Sequence, residues 1–518
     1  MRLRRVAVLG GGPGGLYAAR LLKLADPGSQ VDVYEQGLPD KTFGFGVGLA
    51  AGTQRNLRAA DGPTLDEILR RGWPHDMSMR VGDQVACLPN TNVRAIGRAT
   101  LLAILQRHAA DAGVGLHFGT RVTAGDVDAD LVIAADGVGS ATRSALAGRL
   151  GARVDTGTAL YLWCGTDFAL GSAMFAPVTT SHGTFVTHAY PYAADRSTFL
   201  IETDEQTWRR AGFDATTGAT PPDESDRASL AYLEDAFGER LGGHGLIGNR
   251  TRWLRFRSVR CDRWHDGRVV LLGDAAHTAH YSIGSGTKLA MEDAIALVSA
   301  LDAASTLEQA LAAYETRRRP AVEHLQAVAA RSQRWWDSFP QRMHLPVNQL
   351  LVSYMTRAGK VSLPRFAEST PQVVRRSLSE YSRGVPGPVA GDDLIDWVIG
   401  QPLPLDHAVL PDRVSRPRGV LADVEVTEPD AWGPKADGLV DQAAGQLAGG
   451  AAAVRLTGPE DRDAVLDRLD LAERLRLQLG ATVIVRGPGR YRADLAAGLV
   501  SARTDLIDLT GAQDGEFS

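Results

Sequence analysis

A glycine-rich turn near the amino terminus constrains the fold of this chain more than any other feature. Gly10, Gly12 and Gly15 follow the apolar stretch 4–9 (RRVAVL), and a helical pattern continues through Leu24. In such a turn the first glycine permits the tight bend, and the second lets a pyrophosphate approach backbone N–H groups. The third glycine allows close packing of helix on strand. Because the amino end of a helix also favours anions, the spacing predicts the first strand, turn and helix of a dinucleotide-binding domain.

Glu35 extends this pattern. It ends the apolar stretch 31–35 (VDVYE), where a carboxylate can accept hydrogen bonds from ribose hydroxyls. Pro13 and Gly14 lie inside the glycine turn and are further candidate cofactor-binding residues. A glycine turn without any ligand is the alternative interpretation, and the motif alone does not distinguish FAD from NAD.

A later stretch favours FAD. Gly273-Asp274 ends the apolar run 268–272, and Gly284-Ser285-Gly286 with Thr287 opens another helical pattern. An aspartate at the end of a strand can accept hydrogen bonds from ribityl hydroxyls. Backbone N–H groups at a helix start can face the flavin N1–C2=O region, where negative charge accumulates on reduction. The plain alternative for Asp274 is a helix cap.

Composition excludes several classes of protein. The chain has 518 residues, a formal net charge of −5 and 44% hydrophobic residues, which is ordinary for a globular protein and unlike the basic surface of nucleic-acid-binding proteins. We find no apolar stretch long enough to cross a bilayer, and glycines interrupt the apolar amino terminus. Three scattered cysteines suit a reducing compartment. We therefore expect a soluble cytoplasmic protein without nucleic-acid, membrane or metal partners.

The order of patterns predicts an α/β protein in which a Rossmann-like FAD-binding domain is interrupted by an antiparallel-sheet substrate domain. Stretches such as LYLWCG, GTFVTHAY and STFLIET indicate the antiparallel strands. A C-terminal partial βα region, about half a barrel, follows a join rich in proline and glycine. The predicted segments are 1–155 (FAD-binding), 156–255 (substrate-binding), 256–385 (FAD-binding resumed, plus helices), 386–405 (linker) and 406–518 (βα region).

These motifs together resemble the class A flavoprotein monooxygenases, which have the p-hydroxybenzoate hydroxylase fold. The class has a glycine fingerprint, a middle Asp-Gly, here Asp136-Gly137, and a later Gly-Asp. The resemblance implies that Asp136-Gly137 serves both FAD and the nicotinamide cofactor. It also implies that Arg98, at the start of a predicted helix over 98–112, contacts FAD. A solvated helix residue is the alternative for Arg98.

The resemblance is closer to one branch, the salicylyl-CoA 5-hydroxylases and 2-aminobenzoyl-CoA monooxygenase/reductases. It rests on 42–50 (TFGFGVGLA) and 273–294, and covers roughly 1–385. His280 stands where the wider class has proline, and Lys288 where many members have asparagine. Members of this branch often carry a second, old-yellow-enzyme-like FMN barrel. The C-terminal region is too short for one, so we expect a truncated, non-catalytic region that supports packing or dimerisation.

The resemblance implies that NADH or NADPH reduces FAD, and that the reduced FAD reacts with molecular oxygen to form a C4a-hydroperoxide that hydroxylates an aromatic ring. It implies an aromatic CoA thioester as substrate, with 5-hydroxylation of salicylyl-CoA as the specific expectation. His277, His280 and Tyr281 follow the Gly-Asp motif and are the candidate catalytic residues. A hydrogen-bonded structural histidine is the alternative for His280.

Other expectations stay open at this point. Trp163, Phe185 and Tyr190 are candidates for the ring pocket, although aromatic strand residues are more often ordinary core. Arg255 and Arg257 are candidates for CoA phosphates, with a solvated arginine face as the better alternative. An anthraniloyl thioester on CoA or on a carrier protein is the close competitor for the substrate. A non-catalytic redox scaffold is the competitor from another class, whereas no Trp-x-Trp-x-Ile-Pro segment supports halogenation.

Overall fold

The computed structural model describes residues 3–89, 92–385, 387–388, 392–405, 408–416 and 419–511. The chain divides into two compact units. The first comprises residues 1–78 and 89–330, and the second comprises 79–88 and 331–518. Among the described residues no helix is both long enough and apolar enough to cross a membrane.

The strands are β1 Arg5–Leu9, β2 Gln30–Glu35, β3 Gly46–Leu49, β4 Trp73–Pro74, β5 Met77–Val81, β6 Gln84–Leu88, β7 Arg94–Gly97, β8 Gly115–Phe118, β9 Leu131–Ala134, β10 Arg153–Thr166, β11 Ala173–Thr180, β12 Gly183–Ala193, β13 Arg196–Thr203, β14 Leu246–Ile247, β15 Trp253–Arg260, β16 His265–Asp266, β17 Val269–Leu271, β18 Leu403–Leu405, β19 Ala408–Leu410, β20 Leu421–Glu425, β21 Ala453–Thr457, β22 Val483–Pro488 and β23 Leu506–Thr510.

The helices are α1 Pro13–Ala25, α2 Ala51–Ala60, α3 Gly62–Arg71, α4 Arg98–Asp111, α5 Ala141–Ala145, α6 Ala147–Leu150, α7 Glu205–Arg210, α8 Phe213–Ala219, α9 Arg227–Ala236, α10 Gly238–Leu241, α11 Gly286–Ala303, α12 Leu307–Asp337, α13 Val347–Thr356, α14 Leu363–Ser369, α15 Pro371–Tyr381, α16 Asp392–Ile399, α17 Asp437–Ala448, α18 Arg462–Leu479 and α19 Arg492–Val500. Short 3-10 turns lie at Gly273–Ala275, Tyr281–Ile283, Phe339–Arg342, Pro434–Ala436 and Gly489–Tyr491.

The first unit is built on a six-stranded sheet in the order β16-β17-β9-β1-β2-β8. β17, β9, β1, β2 and β8 are parallel, and only the short β16 is antiparallel to its neighbour. Strands buried on both faces are nearly continuously apolar, and Val6–Leu9 and Leu131–Ala134 are all buried. The predicted Rossmann-like domain, with its strands at 4–9, 31–35 and 131–134 and its helix from Arg98, is confirmed.

An antiparallel sheet in the order β14-β10-β13-β12-β11, with β15 also paired to β10, interrupts this domain. The predicted strands LYLWCG, GTFVTHAY and STFLIET lie in β10, β12 and β13. One face of the sheet packs into an apolar cluster with helices α7 to α10. This sheet confirms the predicted second architecture within the first unit.

The second unit contains a four-stranded parallel sheet in the sequential order β20-β21-β22-β23, with α17, α18 and α19 as the connections. Sequential order with one helix per connection is the arrangement of a βα barrel, here with half the strands. Three of the strands were predicted from 406–518. β20 was missed because LADVE alternates apolar and charged residues over only five positions.

The structure places elements inside the segment predicted as a linker. α16 and β18 occupy most of 392–405, and α16 forms because Leu394, Ile395 and Val398 recur at helical spacing and are buried. Residues 386 and 389–391 of that segment lie outside the described residues. The second unit begins at Arg331, earlier than the predicted boundary at 386, since α13 to α15 pack with the half-barrel. Gln349 on α13, for example, donates to the Val500 carbonyl at 3.0 Å.

Candidate functional site

The carboxyl ends of four parallel strands meet at one edge of the first unit's main sheet. Backbone hydrogen bonds continue past the strand ends: Gly10 donates to the Tyr34 carbonyl at 2.8 Å, Ala135 to Leu9 at 2.8 Å and Leu272 to Ala134 at 2.9 Å. The glycine turn, Asp136-Gly137 and Gly273-Asp274 are therefore neighbours in space. Ligands of open α/β sheets bind outside this edge.

The three fingerprint glycines meet different constraints. Gly10 has a φ of +108°, and a Cβ there would lie 2.2 Å from the Ala135 carbonyl oxygen. A Cβ on Gly15 would lie 2.2 Å from the Gly10 carbonyl oxygen, so Gly15 permits the close packing of α1 on the turn. Gly12 faces open space, with no atom within 4 Å of an added Cβ. The open position is the one that a phosphate would approach, at the amino end of α1.

The other residues of this turn complete the α1 start. Pro13 is the first residue of α1, where its missing N–H is not needed. Gly14 is buried, and an added Cβ would meet Leu272 at 2.6 Å and Ala290 at 2.9 Å. Gly14 therefore has a packing role, whereas Gly12 has the exposure that a ligand requires.

Glu35 lies at the end of β2, as predicted. Its Oε2 accepts from the Gly11 N–H at 2.8 Å, and its Oε1 accepts from the Gly37 N–H at 2.6 Å. These two bonds fix the carboxylate beside the glycine turn. Each oxygen keeps a lone pair for a hydroxyl group, which is what ribose recognition requires.

Asp136 and Arg143 connect the middle motif to the later one. Asp136 Oδ2 accepts from the backbone and the hydroxyl of Thr142 at 3.2 and 3.1 Å. In the described ranges the buried Oδ1 of Asp136 has no hydrogen-bond partner. Arg143 is buried and donates to the carbonyls of Val138 at 2.6 Å and Ala275 at 3.0 Å. Arg143 therefore holds the Gly137 turn against the Asp274 turn.

Asp274 and Arg98 are charged groups inside a cleft. The side chain of Asp274 is open to solvent, yet the protein around it raises its pKa by desolvation, which His277 and Arg98 only partly offset. Arg98 is half-buried, and desolvation lowers its pKa, while the Asp274 carboxylate acts in the opposite direction. An accessible carboxylate with this much protein around it indicates a deep recess beside the sheet edge.

A cavity of about 400 Å³ lies next to Arg98. Its lining includes the segment 40–45, whose course is fixed by two contacts. Arg98 N–H donates to the Phe45 carbonyl at 2.7 Å, and Asn249 donates to the Thr42 carbonyl at 2.9 Å. The TFGFG segment thus forms one wall of the recess.

The start of α11 forms another wall. Gly284 and Gly286 leave open space at their Cβ positions, and Thr287 is half-buried in the first helical turn. Ser285 precedes the helix without capping it, and its buried hydroxyl has no partner in the described part of the chain. A long helix with exposed first-turn N–H groups and an unpartnered hydroxyl fits a bound anionic or carbonyl group.

These features fit FAD. The open Gly12 position suits the pyrophosphate, Glu35 the ribose, Asp274 the ribityl hydroxyls and the α11 start the pyrimidine edge of the flavin. The unpartnered oxygens of Asp136 and Ser285 lie in the same two motifs.

His277 does not face the recess. Its ring is 2% exposed, its Nε2 lies 2.7 Å from Asp293 Oδ2, and it packs on Trp264. Asp293 also accepts from the Gly273 N–H at 3.1 Å and from Arg318 at 2.8 Å. Although burial raises it, these cations hold the pKa of Asp293 below its usual value. The structure therefore corrects the prediction that His277 contacts substrate, because the buried pair fixes the Gly273 turn instead.

The antiparallel sheet presents a different face to the recess. Strand alternation and register put Tyr161, Trp163, His188, Tyr190 and Glu202 on this face. Tyr190 donates to the Gly46 carbonyl at 2.7 Å, and Trp163 packs on Phe43. Phe185, the third aromatic candidate for the ring pocket, is fully buried in the apolar cluster on the opposite face. The plain alternative is therefore correct for Phe185.

His280 and Tyr281 lie between this sheet face and the flavin recess. Tyr281 is half-buried, and its ring centroid lies 4.8 Å from that of Tyr161 and 6.5 Å from that of Trp163. His280 is buried, with Nδ1 2.9 Å from the Ser282 hydroxyl and its ring against Phe256. The structure thus brings Tyr281 to the aromatic pocket and places His280 directly behind it.

The two candidate arginines differ in their partners. Arg255 is half-buried and pairs with Glu205 at 2.9 Å. Arg257 is exposed, and no ion pair of it is found among the described residues. Arg257 lies near Gly139 of the Asp-Gly motif and raises the local positive potential at Tyr161. Only Arg257 keeps its charge available for an anionic ligand.

Comparison with known proteins agrees with this geometry. The model of the FAD binding domain family matches residues 4–329. The chain is 36% identical over 529 residues to a Streptomyces protein named salicyloyl-CoA 5-hydroxylase, covering 97% of this chain and 99% of that one. The chain belongs to the FAD binding domain family of flavoprotein monooxygenases.

Two further similarities complete the picture of this flavoprotein monooxygenase. A Streptosporangium sibiricum protein named 3-hydroxy-4-methyl-anthranilyl-[aryl-carrier protein] 5-monooxygenase is 39% identical and covers 69% of this chain and 95% of that one. The fold matches tetrameric 2-methyl-3-hydroxypyridine-5-carboxylic acid oxygenase with a TM-score of 0.54 at 20% identity, covering 72% of this chain and 97% of that one.

Four residues of the monooxygenase site escaped sequence reasoning: Arg143, His188, Glu202 and Asp293. Arg143 and Asp293 had a usable signal, because they stand in the Asp-Gly segment and in the helix after the Gly-Asp motif. His188 and Glu202 had none, since a single polar residue in an apolar strand does not show which face it occupies or what it contacts across the sheet.

Proposed function

We propose that this flavoprotein monooxygenase hydroxylates the ring of an aromatic acyl-CoA thioester with NADH or NADPH and molecular oxygen, and that salicyloyl-CoA is hydroxylated at position 5. The observation that carries this proposal is similarity to a protein named salicyloyl-CoA 5-hydroxylase over nearly the full length of both chains. The aromatic pocket of Tyr161, Trp163 and Tyr281 beside the flavin recess supports a planar ring as substrate.

In the proposed mechanism FAD supplies the redox chemistry and oxygen activation. The protein binds the cofactor at the amino end of α1, orients its ribityl chain with Asp274 and leaves the α11 start to face the flavin ring. The buried pair of His277 and Asp293 holds the Gly273 turn in place. Tyr281 and the sheet face position the substrate ring and exclude water from it.

An anthraniloyl thioester on a carrier protein is the second candidate, and the 39% identity to the Streptosporangium protein favours it. The extent of the chain favours CoA. The carrier-protein enzyme is matched almost completely, yet nearly a third of this chain has no counterpart in it. The protein named for a CoA substrate matches this chain to both ends.

Substrate-stimulated oxidation of NADH and NADPH tests the proposal. The purified yellow protein is screened with salicyloyl-CoA, 2-aminobenzoyl-CoA, the corresponding carrier-protein thioesters and the free acids. We expect salicyloyl-CoA to give the greatest stimulation with one of the two reductants. Stimulation by free acids alone would refute the thioester while leaving a monooxygenase, and no stimulation by any compound would favour a non-catalytic flavoprotein.

We further propose a cytoplasmic location and a homodimeric assembly, in keeping with the three scattered cysteines and with a C-terminal region available for packing. Light scattering during size-exclusion chromatography measures the assembly state. A mass near twice the 55.3 kDa of one chain is expected, and a monomer would contradict it.

A further inference from the structure

A carboxylate and an imidazole are buried together on the recess-facing side of the antiparallel sheet. Glu202 on β13 and His188 on β12 are 6% and 7% exposed. Glu202 Oε2 lies 3.1 Å from His188 Nε2. Cross-strand pairing sets this contact, because Glu202 is opposite Val186 and His188 is opposite Leu200 in the same ladder.

The sheet does not need this pair for its packing. The opposite face of the same strands buries Leu162, Phe199 and Ile201 in an apolar cluster. Removing two ionisable groups from water costs more than burying apolar residues of similar volume, so such pairs are weak contributors to stability. A pair of this kind facing a substrate recess points to chemistry there.

The groups around Glu202 are polar on each packed element. Tyr281 and His280 approach it from the turn after the Gly-Asp motif, and Tyr161 is its cross-strand neighbour on β10. Arg257 is the charged group closest to Tyr161 from β15. Within the described ranges Oε1 of Glu202 has no hydrogen-bond partner at bonding distance. The carboxylate thus keeps one accepting oxygen on the side of Tyr281.

The electrostatics keep Glu202 ionised. Burial raises its pKa, but His188, His280 and a hydrogen bond from Tyr281 lower it further, so the pKa lies below its usual value. An ionised Glu202 beside a neutral His188 is a pair that can take up one proton without leaving a buried net positive charge. It can therefore act as a base at neutral pH.

We propose that Tyr281 contacts the ring hydroxyl of the substrate and that Glu202 and His188 accept its proton through the Tyr281 hydroxyl. The inference rests on the hydroxyaryl thioester proposed above. The substrate O–H bond breaks as its proton moves to the Tyr281 oxygen, while the Tyr281 proton moves to Glu202 and is shared with His188. The substrate oxygen becomes anionic and raises electron density at the ring carbon para to it. Tyr281 is the catalytic residue, and Glu202 and His188 are positioning residues that act through it.

Titration of the bound substrate tests the relay without turnover. Salicyloyl-CoA is bound to the oxidised holoenzyme without NADH or NADPH, and phenolate formation is followed against pH by difference absorbance. We expect the wild-type midpoint to lie about one pH unit or more below that of free salicyloyl-CoA. Glu202→Gln and Tyr281→Phe should each return the midpoint to within about 0.3 units of the free ligand.

The matched control is His182→Gln. His182 is also an imidazole that bonds a tyrosine hydroxyl, Tyr232 at 2.7 Å, but it lies in the turn between β11 and β12. This variant should keep the wild-type midpoint. FAD content and the Kd for salicyloyl-CoA should stay within about threefold of wild type in all folded variants, and His188→Gln should shift the midpoint in the same direction as Glu202→Gln.

The outcomes separate the relay from the substrate. A Glu202→Gln variant that binds salicyloyl-CoA and titrates like wild type would overturn the relay, as would a wild-type midpoint equal to that of the free ligand. If Glu202→Gln does not fold, Tyr281→Phe decides by the same criterion. Failure of wild type to bind salicyloyl-CoA at all would overturn the proposed substrate, and the relay with it.

Discussion

At the scale of single residues, the fingerprint glycines divide into one that faces the ligand and others that pack. A Cβ on Gly12 meets nothing within 4 Å, whereas a Cβ on Gly15 would lie 2.2 Å from a backbone carbonyl. The common motif therefore hides two different demands, and substitution by alanine separates them.

We expect Gly12→Ala to leave the melting temperature of the apoprotein unchanged but to weaken FAD binding about tenfold, since one phosphate contact of about 1.4 kcal/mol is obstructed. Gly15→Ala should lower the free energy of unfolding by about 1–3 kcal/mol through overpacking. Flavin titration and chemical denaturation measure the two effects. Equal loss of stability in both variants would contradict the division.

Asp293 gives a prediction for pH dependence. Because its folded pKa lies below the usual aspartate value, its contribution to stability is present above about pH 3.9 and is lost as pH falls through the folded pKa. Asp293→Asn leaves His277 and Arg318 with an incomplete partner, which should cost about 3–5 kcal/mol at pH 7. Urea unfolding from pH 7 to pH 3 should show the difference between variant and wild type shrinking only below about pH 4. A difference independent of pH would refute this role.

Arg257 and Arg255 form a matched pair for the CoA phosphates. Arg255 is neutralised by Glu205, while Arg257 is exposed beside the Asp-Gly motif. Loss of one exposed charge contact costs about 1 kcal/mol, so Arg257→Ala should raise KM for the CoA thioester about fivefold with kcat unchanged. Arg255→Ala should leave KM unchanged. An equal KM in both variants and wild type would place the CoA elsewhere.

At the scale of elements, periodicity predicted what a single strand or helix reveals about itself. β1, β9, β12 and α4 carry continuous, alternating or helical apolar patterns, and the structure has them near the expected bounds. β20 is short and charged on alternate positions, and α16 is flanked by glycine and proline, so local composition concealed both. Which strands lie opposite Glu202 depends on register between distant segments, and no local pattern records it.

The half-barrel also depends on a contact that sequence does not show. Arg342, 1% exposed, follows α12, and it bonds both carboxylate oxygens of Glu473 on α18, with Nε at 2.8 Å from Oε1. Glu473→Ala leaves a buried guanidinium unpaired, which should cost about 3–5 kcal/mol. Hydrogen exchange should show loss of protection in β20–β23 with β1 and β2 unaffected. Unchanged protection in the half-barrel would contradict this.

At the scale of the whole molecule, the glycine fingerprint, the Asp-Gly and the Gly-Asp motifs predicted the first unit and its flavin edge. They did not predict the extent of the second unit, because the boundary follows from the packing of α13 to α15 rather than from composition. Similarity to the Streptomyces protein runs through both units. The second unit is therefore part of the molecule that any account of the CoA substrate has to include.

The most direct test of ring hydroxylation is the fate of ¹⁸O₂ in a reaction with salicyloyl-CoA and the preferred nicotinamide cofactor. The account predicts a product two mass units heavier than that formed in ¹⁶O₂, with the new oxygen on ring carbon 5 and one cofactor oxidised per product. Cofactor oxidation that yields only labelled hydrogen peroxide, with salicyloyl-CoA recovered unchanged, would contradict it.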